Sequence, residues 1–363
     1  MRRALAETLL AEIMEWSTEE VGNERPLLQA LSNFKYNEYQ QFSIGTLFME
    51  SLVKWLNNFD GSKERKIAYE FIKNQLIFFS NNQILHLVNT TFNTVIQPIL
   101  IEKTSTILNT GKYQISSIIN SPTYQSVSRR ALYIGLSDGA RIDQLRRSSH
   151  LNNEQVIPTY EVGRAKVDDM LKELSDSGET KKFDTIFLVD DFTASGTSYF
   201  RTEGSALKGK IFKTIDRFFD TKEPLFQLVD ASKQISIHLV FYIATEEAID
   251  KISNIESLIS KQEKYKNLNF TIHALQKINS SLKEDILQNQ KAFIELSEKY
   301  VNDSIVDDHW KKAKHGKHYL GYNECALPIV LAHNTPNNSL PLIWWSSKDN
   351  DFVGLFPRIT RHS

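Results

Sequence analysis

Apolar positions follow two different periods along this chain, and the change between them marks its organisation. Toward the amino terminus the spacing is helical: Ala68, Phe71, Ile72, Leu76 and Phe79 fall on one face of a helix that Ser62 is placed to cap. Turns are expected at Gly22 to Pro26, Asn57 to Ser62 and Asn81 to Asn82. After a passage from Gly111 to Pro122, short apolar runs take over at Ala131 to Leu136, Gln155 to Tyr160, Thr185 to Val189, Ser236 to Ala244 and Asn269 to Ala274. Helical stretches separate most of these runs, an alternation that predicts an α/β fold built on a parallel sheet. Residues 246 to 308 return to a charged helical pattern. Near the end, Ala326 to Ala332 and Leu340 to Trp345 flank an Asn- and Pro-rich loop from His333 to Ser339, as in a hairpin or a crossing of the sheet edge. The predicted plan is an N-terminal all-helical domain (1–110), an α/β core (111–250), a helical insertion (251–320) and C-terminal strands completing the core or forming a hood (321–363).

Composition narrows the setting. With 363 residues and 41% hydrophobic content the chain can bury one large core and a second domain, and 43 basic against 44 acidic residues give no global pull toward nucleic acid or membrane. The single cysteine, Cys325, excludes an internal disulfide framework and a cysteine-based zinc site, which fits a reducing cytoplasm. Arg2 and Arg3 precede apolar residues, but Glu7, Glu12 and Glu15 interrupt them, so an amphipathic helix is expected there and no signal peptide. The uncharged span from Asn74 to Ile101 holds too many Asn, Gln and Thr residues to be expected to cross a bilayer.

The candidate chemistry is concentrated in residues 185 to 198. Ile186 to Val189 are too few for a helix and too continuously apolar for a half-solvated strand, so a central parallel strand is expected. Ligands of open α/β sheets bind beyond the carboxyl ends of the strands. Asp190 and Asp191 stand there, able to accept from vicinal hydroxyls or to act through a divalent cation. In the following turn Thr193, Ser195, Thr197 and Ser198 offer hydroxyls, Ala194 is small, and Gly196 allows close backbone approach to an anion. The lysine and spacing of a P-loop are missing. The plainer alternative is an ordinary strand-turn-helix junction with surface acids.

Leu188 to Thr197 resembles the signature of the type I phosphoribosyltransferases: a hydrophobic strand, two acids, two variable residues, then Thr/Ser-x-Gly-Thr/Ser. The resemblance implies a parallel sheet flanked by helices, Asp190 and Asp191 on the ribose hydroxyls of 5-phosphoribosyl pyrophosphate (PRPP) and on Mg2+, and Thr193 to Thr197 on the 5-phosphate. About fifty residues earlier, Ser137, Asp138, Gly139, Ala140 and Arg141 follow another predicted strand, where the family places its pyrophosphate loop. Small residues would expose amides there, and Arg141 would join the acids as a catalytic group by pairing with phosphate oxygens. A tight turn with a helix cap explains the same stretch. The family also has a mobile lid between its second and third strands, whereas Glu161 to Lys182, with Arg164 and Lys166, contains a helix-like run from Val167 to Leu174.

More narrowly, Ser137 to Arg141, the acid-pair turn and His333 to Trp344 are similar to phosphoribosyltransferase-like proteins of bacterial conflict and antiphage loci, including retron cassettes. That resemblance implies a defence effector with partner proteins, a reverse transcriptase and its RNA/DNA product, and a homo-oligomer. Asn334, Asn337, Asn338, Trp344 and Trp345 are candidates for a base-selecting hood, with turn-forming and core roles as the alternative. His309 to Tyr319 is the densest basic patch, either a solvated loop or a contact for nucleic acid; His315 and His318 lack further ligands at metal spacing. Two functional readings stand: a Mg-dependent transferase or bond cleaver at ribose C1, and a non-catalytic PRPP or nucleotide sensor.

Overall fold

The computed structural model describes residues 3–41, 47–159, 161–179, 182–203, 206–254, 258–259, 262–307, 310, 316–347 and 352–359. Its strands are β1 (Ile77–Phe79), β2 (Ala131–Gly135), β3 (Val156–Ile157), β4 (Thr185–Thr193), β5 (Arg201–Glu203), β6 (Ala206–Lys208), β7 (Ile235–Thr245), β8 (Leu268–Ile278) and β9 (Ile329–Leu331). The chain divides into two units, one of residues 1–84 with 280–363 and one of residues 85–279.

The second unit holds a five-stranded parallel sheet in the order β3-β2-β4-β7-β8. Numbered by appearance within the sheet, that order is 2-1-3-4-5, a doubly wound arrangement whose switch point lies between β2 and β4. The expected α/β fold with a parallel sheet flanked by helices is what the structure has. β4 occupies the centre because Thr185 to Asp190 are all buried, which only a strand covered on both faces tolerates. Register fixes which residues share a face: Leu132 pairs with Ile186, and Leu188 with Leu239. These apolar side chains pack with Val167, Met170 and Leu174 of the helix Arg164–Asp176 and with Ile211, Ile215 and Phe218 of the helix Lys210–Phe218. The opposite face carries the row Tyr133, Phe187 and His238, stacked at ring separations of 5.3 and 5.1 Å.

The first unit is built differently from the plan read in the sequence. Its helices, Arg3–Ile13, Thr18–Phe34, Phe48–Leu56 and Gly61–Gln75, are followed by β1, which pairs in parallel with β9 from the far end of the chain. The tail 321–363 therefore belongs with the amino-terminal helices and does not complete the large sheet. Leu340 to Trp345 is no strand: Pro341–Trp344 is a short helix. Trp55 donates through Nε1 to Leu342 O at 2.8 Å, and Phe71 stacks on Phe293 at 3.6 Å. Two further boundaries also move. Residues 85–110 join the sheet unit, and the expected insertion 251–320 is split, with β8 in the sheet and the helices Ser281–Asn289 and Lys291–Tyr300 in the first unit.

Local differences have local causes. Gly22 to Pro26 lies inside the helix Thr18–Phe34, because the Ser17 and Glu20 capping box starts that helix early and Pro26 is accommodated within it. Asp60, not Ser62, precedes the helix Gly61–Gln75, and Phe79 is in β1. Among the aromatic residues near the amino terminus, Tyr36 is buried, Phe34 is 81% exposed, and Phe42 lies outside the described residues. Helical residues Asn81–Leu108 are long and apolar enough to cross a bilayer by length and composition, their most apolar 18-residue window having mean hydropathy 1.3, yet a third of that window is buried in the protein.

Candidate functional site

Two loops lie at the carboxyl ends of the neighbouring strands β2 and β4, the switch point of the sheet. The first is Ser137 to Arg141. Asp138–Ala140 form a single tight turn, and Arg141 adopts a left-handed conformation (φ 45°, ψ 39°) before the helix Ile142–Ser148. Ala140 is held from behind by the Tyr242 hydroxyl, which donates to its carbonyl at 2.5 Å. Among the described residues, the backbone N–H groups of Ser137, Asp138 and Gly139 donate to no protein acceptor. Ser137 and Gly139 are half-buried and Asp138 is exposed, so three successive N–H groups are left open to an anion or to water.

The second loop is the turn after β4. β7 pairs with β4 as far as Thr193 opposite Ala244, so both acids lie inside the strand and not beyond its end. Successive strand residues point to opposite faces. The structure accordingly separates the two carboxylates. Asp190 is fully buried: Oδ1 accepts from the Ser137 hydroxyl and from Asp191 N at 3.1 Å, and Oδ2 accepts from the Tyr199 hydroxyl at 2.6 Å and Lys210 Nζ at 3.3 Å. Burial, then the neighbouring Asp191 charge, raises its pKa against the opposing pull of Lys210, Ser137 and Tyr199. Asp191 is half-buried, accepts from Phe192 N at 2.9 Å, and lies against Gly139 of the first loop. Arg141, whose pKa burial lowers and Asp191 raises, is on the same side.

Gly196 sits at φ +66°, the left-handed region that favours glycine, and a β-carbon there would stand 3.3 Å from Ala248 O and from Ile252 Cγ1. The helix Glu246–Ser253 thus packs over the turn, and Thr245 fastens it by donating to Ala194 O at 2.5 Å while capping Ala248 N at 3.1 Å. From that helix Lys251 Nζ reaches Thr197 Oγ1 at 2.6 Å. Thr193, Ala194, Ser195 and Thr197 are buried; Thr197 N turns inward to Ser195 Oγ at 3.4 Å. Among the described residues the amides of Ser195, Gly196 and Ser198 donate to no protein group. An ordinary strand-turn-helix junction would run straight into a helix after the turn. In its place comes the antiparallel hairpin β5–β6, and the helix Lys210–Phe218 then returns, with Lys210 N donating to Ser198 O at 3.1 Å and Ile211 N to Tyr199 O at 3.2 Å.

These features, a doubly wound sheet with amide-lined loops at the carboxyl ends of two neighbouring strands, agree with a family model that matches residues 52–358. The chain belongs to the PRTase-CE family. It is a phosphoribosyltransferase-like protein. No curated protein and no solved structure matches it.

Elsewhere in this PRTase-CE protein the remaining polar groups have other neighbours. Arg146 and Arg147 both pair with Asp143 on the surface of their own short helix, at 3.1 and 2.9 Å. The expected lid stretch is the packed helix Arg164–Asp176, with Lys166 bound to Glu154 at 2.5 Å; Tyr160 lies outside the described residues. The hood candidates are used within the first unit: Asn338 Nδ2 donates to Tyr322 O at 3.0 Å, Asn334 Nδ2 to Ile359 O at 3.1 Å, and Trp344 Nε1 to Ser339 O at 2.9 Å. Of the basic patch, His309 and residues 311–315, His315 among them, lie outside the described residues; His318 Nδ1 is 3.4 Å from Asp303. Tyr199, Lys210, Tyr242, Thr245 and Lys251 were not foreseen, because each reaches the site through a long-range packing contact that leaves no local sequence signal.

Proposed function

We propose that this chain binds PRPP, or a nucleotide, across the β2–β4 switch point and makes or breaks the bond at ribose C1. The observation that carries this reading is the pair of loops with unpaired amides, Ser137 to Gly139 and Ser195, Gly196 and Ser198, at the carboxyl ends of the neighbouring strands β2 and β4, the first of them lying against Asp191. The turn amides with Lys251 beside them suit the 5-phosphate, Asp191 suits the ribose hydroxyls, and the first loop with Arg141 suits the pyrophosphate. Asp190 has a supporting part in this scheme: its carboxylate ties the first loop, the turn and the helix Lys210–Phe218 together.

In the forward sense the C1–O bond to pyrophosphate breaks with its electron pair leaving on the phosphate oxygen. A base nitrogen then forms the C1–N bond and loses its proton to solvent. Positive charge that develops on the ribose ring is stabilised by Asp191, and negative charge on the departing group by Arg141 and the loop amides. Mg2+ fits this site as an ion carried by the pyrophosphate with Asp191 as its one protein carboxylate, since both oxygens of Asp190 are already engaged; it would neutralise charge on the leaving phosphates. Among the described residues no three metal-ligating side chains cluster.

Within this reading the protein acts in the cytoplasm as an antiphage effector of a retron-type locus, as a homo-oligomer and with a reverse transcriptase and its nucleic-acid product as partners. The sequence resemblance supports that role. A sensor that binds without turnover is the second reading, favoured by the packed helix Arg164–Asp176 where the resembled enzymes have a lid. Calorimetry with PRPP and Mg2+, followed by a pyrophosphate-release assay with mixed bases, tests both. Binding with release supports the transferase and binding alone the sensor; a folded protein that takes up neither PRPP nor a nucleoside monophosphate at about 1 mM refutes both. Loss of phage protection on Asp191→Ala, in cells carrying the whole locus, tests the defence role.

A further inference from the structure

A cavity of about 550 Å³ opens at the other end of the same sheet, by the amino ends of β4 and β7 and beside the helix Gln97–Leu108, lined wholly by residues of the second unit. Six residues of β4 separate Thr185 from Asp191, roughly 20 Å at 3.3 Å per residue, so this cavity is no part of the site described above. Its volume lies within the range of about 300–1,000 Å³ of small-molecule sites.

The lining combines flat apolar surface with a few hydrogen-bonding groups and a balanced set of charges. Ile99 supplies an apolar wall, and Phe183 and Ile235, buried in the adjoining core, meet the space only at their edges. Three lysines and three carboxylates line the space, and the shortest pairs cancel: Lys103 binds Asp184 at 2.6 Å, and Lys233 binds Asp230 at 3.2 Å. Lys103 also donates to Thr185 Oγ1, so its ammonium is already committed. An anion at the Lys103 end would compete with Asp184 for that lysine, whereas an uncharged guest leaves the pair intact; the exposed Lys182 and Lys233 stand at the rim. His238 belongs to the lining and is buried, with Nδ1 bonded to Thr271 Oγ1 at 2.7 Å; among the described residues its Nε2 has no protein partner. Burial pushes its pKa down to about 3, so it is a neutral imidazole at ordinary pH, one ring nitrogen of which is still to be satisfied.

We propose that this cavity is a second ligand site for a small uncharged heteroaromatic molecule of the nucleobase or nucleoside class. Ile99 meets a ring face, His238 pairs with a ring-edge nitrogen or amino group, and Gln234 with Ser236 supplies the remaining edge contacts. A ligand here would bind at the same time as one at Asp191.

Saturation-transfer NMR and calorimetry on the full chain test this, using adenine, hypoxanthine, cytosine, uracil, adenosine and AMP as probes. The expected result is binding of at least one base or of adenosine, with AMP at least about tenfold weaker than adenosine. Ile99→Trp, which fills the cavity, and Thr106→Trp, which covers it from an exposed helix position, should each weaken that binding at least about tenfold, while Asp191→Asn leaves it unchanged. The proposal is overturned if none of the probes binds, if AMP binds as well as adenosine, or if Asp191→Asn removes binding that both tryptophan variants retain. Because the readout is base binding without PRPP, failure here leaves the PRPP reading untouched.

Discussion

Gly139 and Asp191 come so close that a β-carbon on the glycine would stand 2.3 Å from Asp191 Oδ2. Hydrogen at that position is what lets the carboxylate lie against the loop after β2, and thus what joins the two halves of the switch-point crevice. The obstructing atom is the end of a side chain, so an added methyl group displaces the carboxylate and leaves the backbone in place. Gly139→Ala is expected to keep the melting temperature within a few degrees of the parent while weakening PRPP binding by about tenfold or more. Calorimetry beside a thermal melt checks both; a large drop in melting temperature would show that the loop backbone cannot accept the methyl group.

Asp190 and Asp191 should differ in kind. Asp190→Ala strips the Tyr199 and Ser137 hydroxyls and Lys210 of a shared buried acceptor, and is expected to destabilise the chain by about 3 kcal/mol or more. Asp191→Ala removes a half-buried carboxylate and should change stability by about 1 kcal/mol at most, yet abolish PRPP binding. Urea denaturation and calorimetry on the two variants distinguish a structural carboxylate from a ligand-binding one. Equal stability loss in both would contradict the division of labour.

The raised pKa of Asp190 gives that residue a signature in pH. Above the unfolded value for an aspartate, about 4, the unfolded chain has lost this proton while the folded chain still holds it. Stability contributed by the group is therefore fully present below about pH 4 and falls as pH rises through the folded pKa. Asp190→Asn cannot ionise. The stability difference between parent and variant should thus shift against the parent as pH increases from 4, a trend read from urea midpoints across pH; an opposite slope would mean that Lys210 governs the carboxylate.

How much of this was legible in the sequence follows from how local each cause is. The apolar run Ile186 to Val189 and the glycine turn at Gly196 declare themselves, since burial on both faces and a left-handed residue are properties of a few adjacent positions. The end of β4 does not. Pairing with β7 carries the strand on to Thr193, and that extension sends Asp190 inward and Asp191 toward the crevice. Similarly, β1 and β9 are three residues each and lie some 250 positions apart, so nothing near either one announces the pairing that draws the tail into the first unit.

Lys251 supplies a cation beside the turn that the phosphoribosyltransferase-like pattern of hydroxyls and amides does not require. Its ammonium is 2.6 Å from Thr197 Oγ1, on a helix whose packing over Gly196 is independent of that charge. Lys251→Met keeps the aliphatic stem and should lower affinity for PRPP and for ribose 5-phosphate alike, by about tenfold or more, while affinity for pyrophosphate alone is unchanged. Competition calorimetry with the three ligands checks the assignment; a loss confined to pyrophosphate would place the lysine on the other loop.

The hairpin β5–β6 offers the sharpest test of whether the site turns over. Lys210 N and Ile211 N already bond to Ser198 O and Tyr199 O, so the chain leaves the turn at Phe200 and comes back to it at Gly209. Gly209 itself is pressed against Tyr199, where a β-carbon would meet the carbonyl oxygen at 2.2 Å. With both ends of the excursion pinned, replacing residues 201–208 by two glycines leaves the five-stranded sheet intact but takes the half-buried Leu207 from its core, so unfolding free energy should fall by about 1–2 kcal/mol. If the hairpin shields the reacting carbon in place of a lid between the second and third sheet strands, the shortened protein will still bind PRPP, but pyrophosphate release into water without base transfer will rise relative to transfer. An unchanged ratio of hydrolysis to transfer would show that the hairpin has no shielding role.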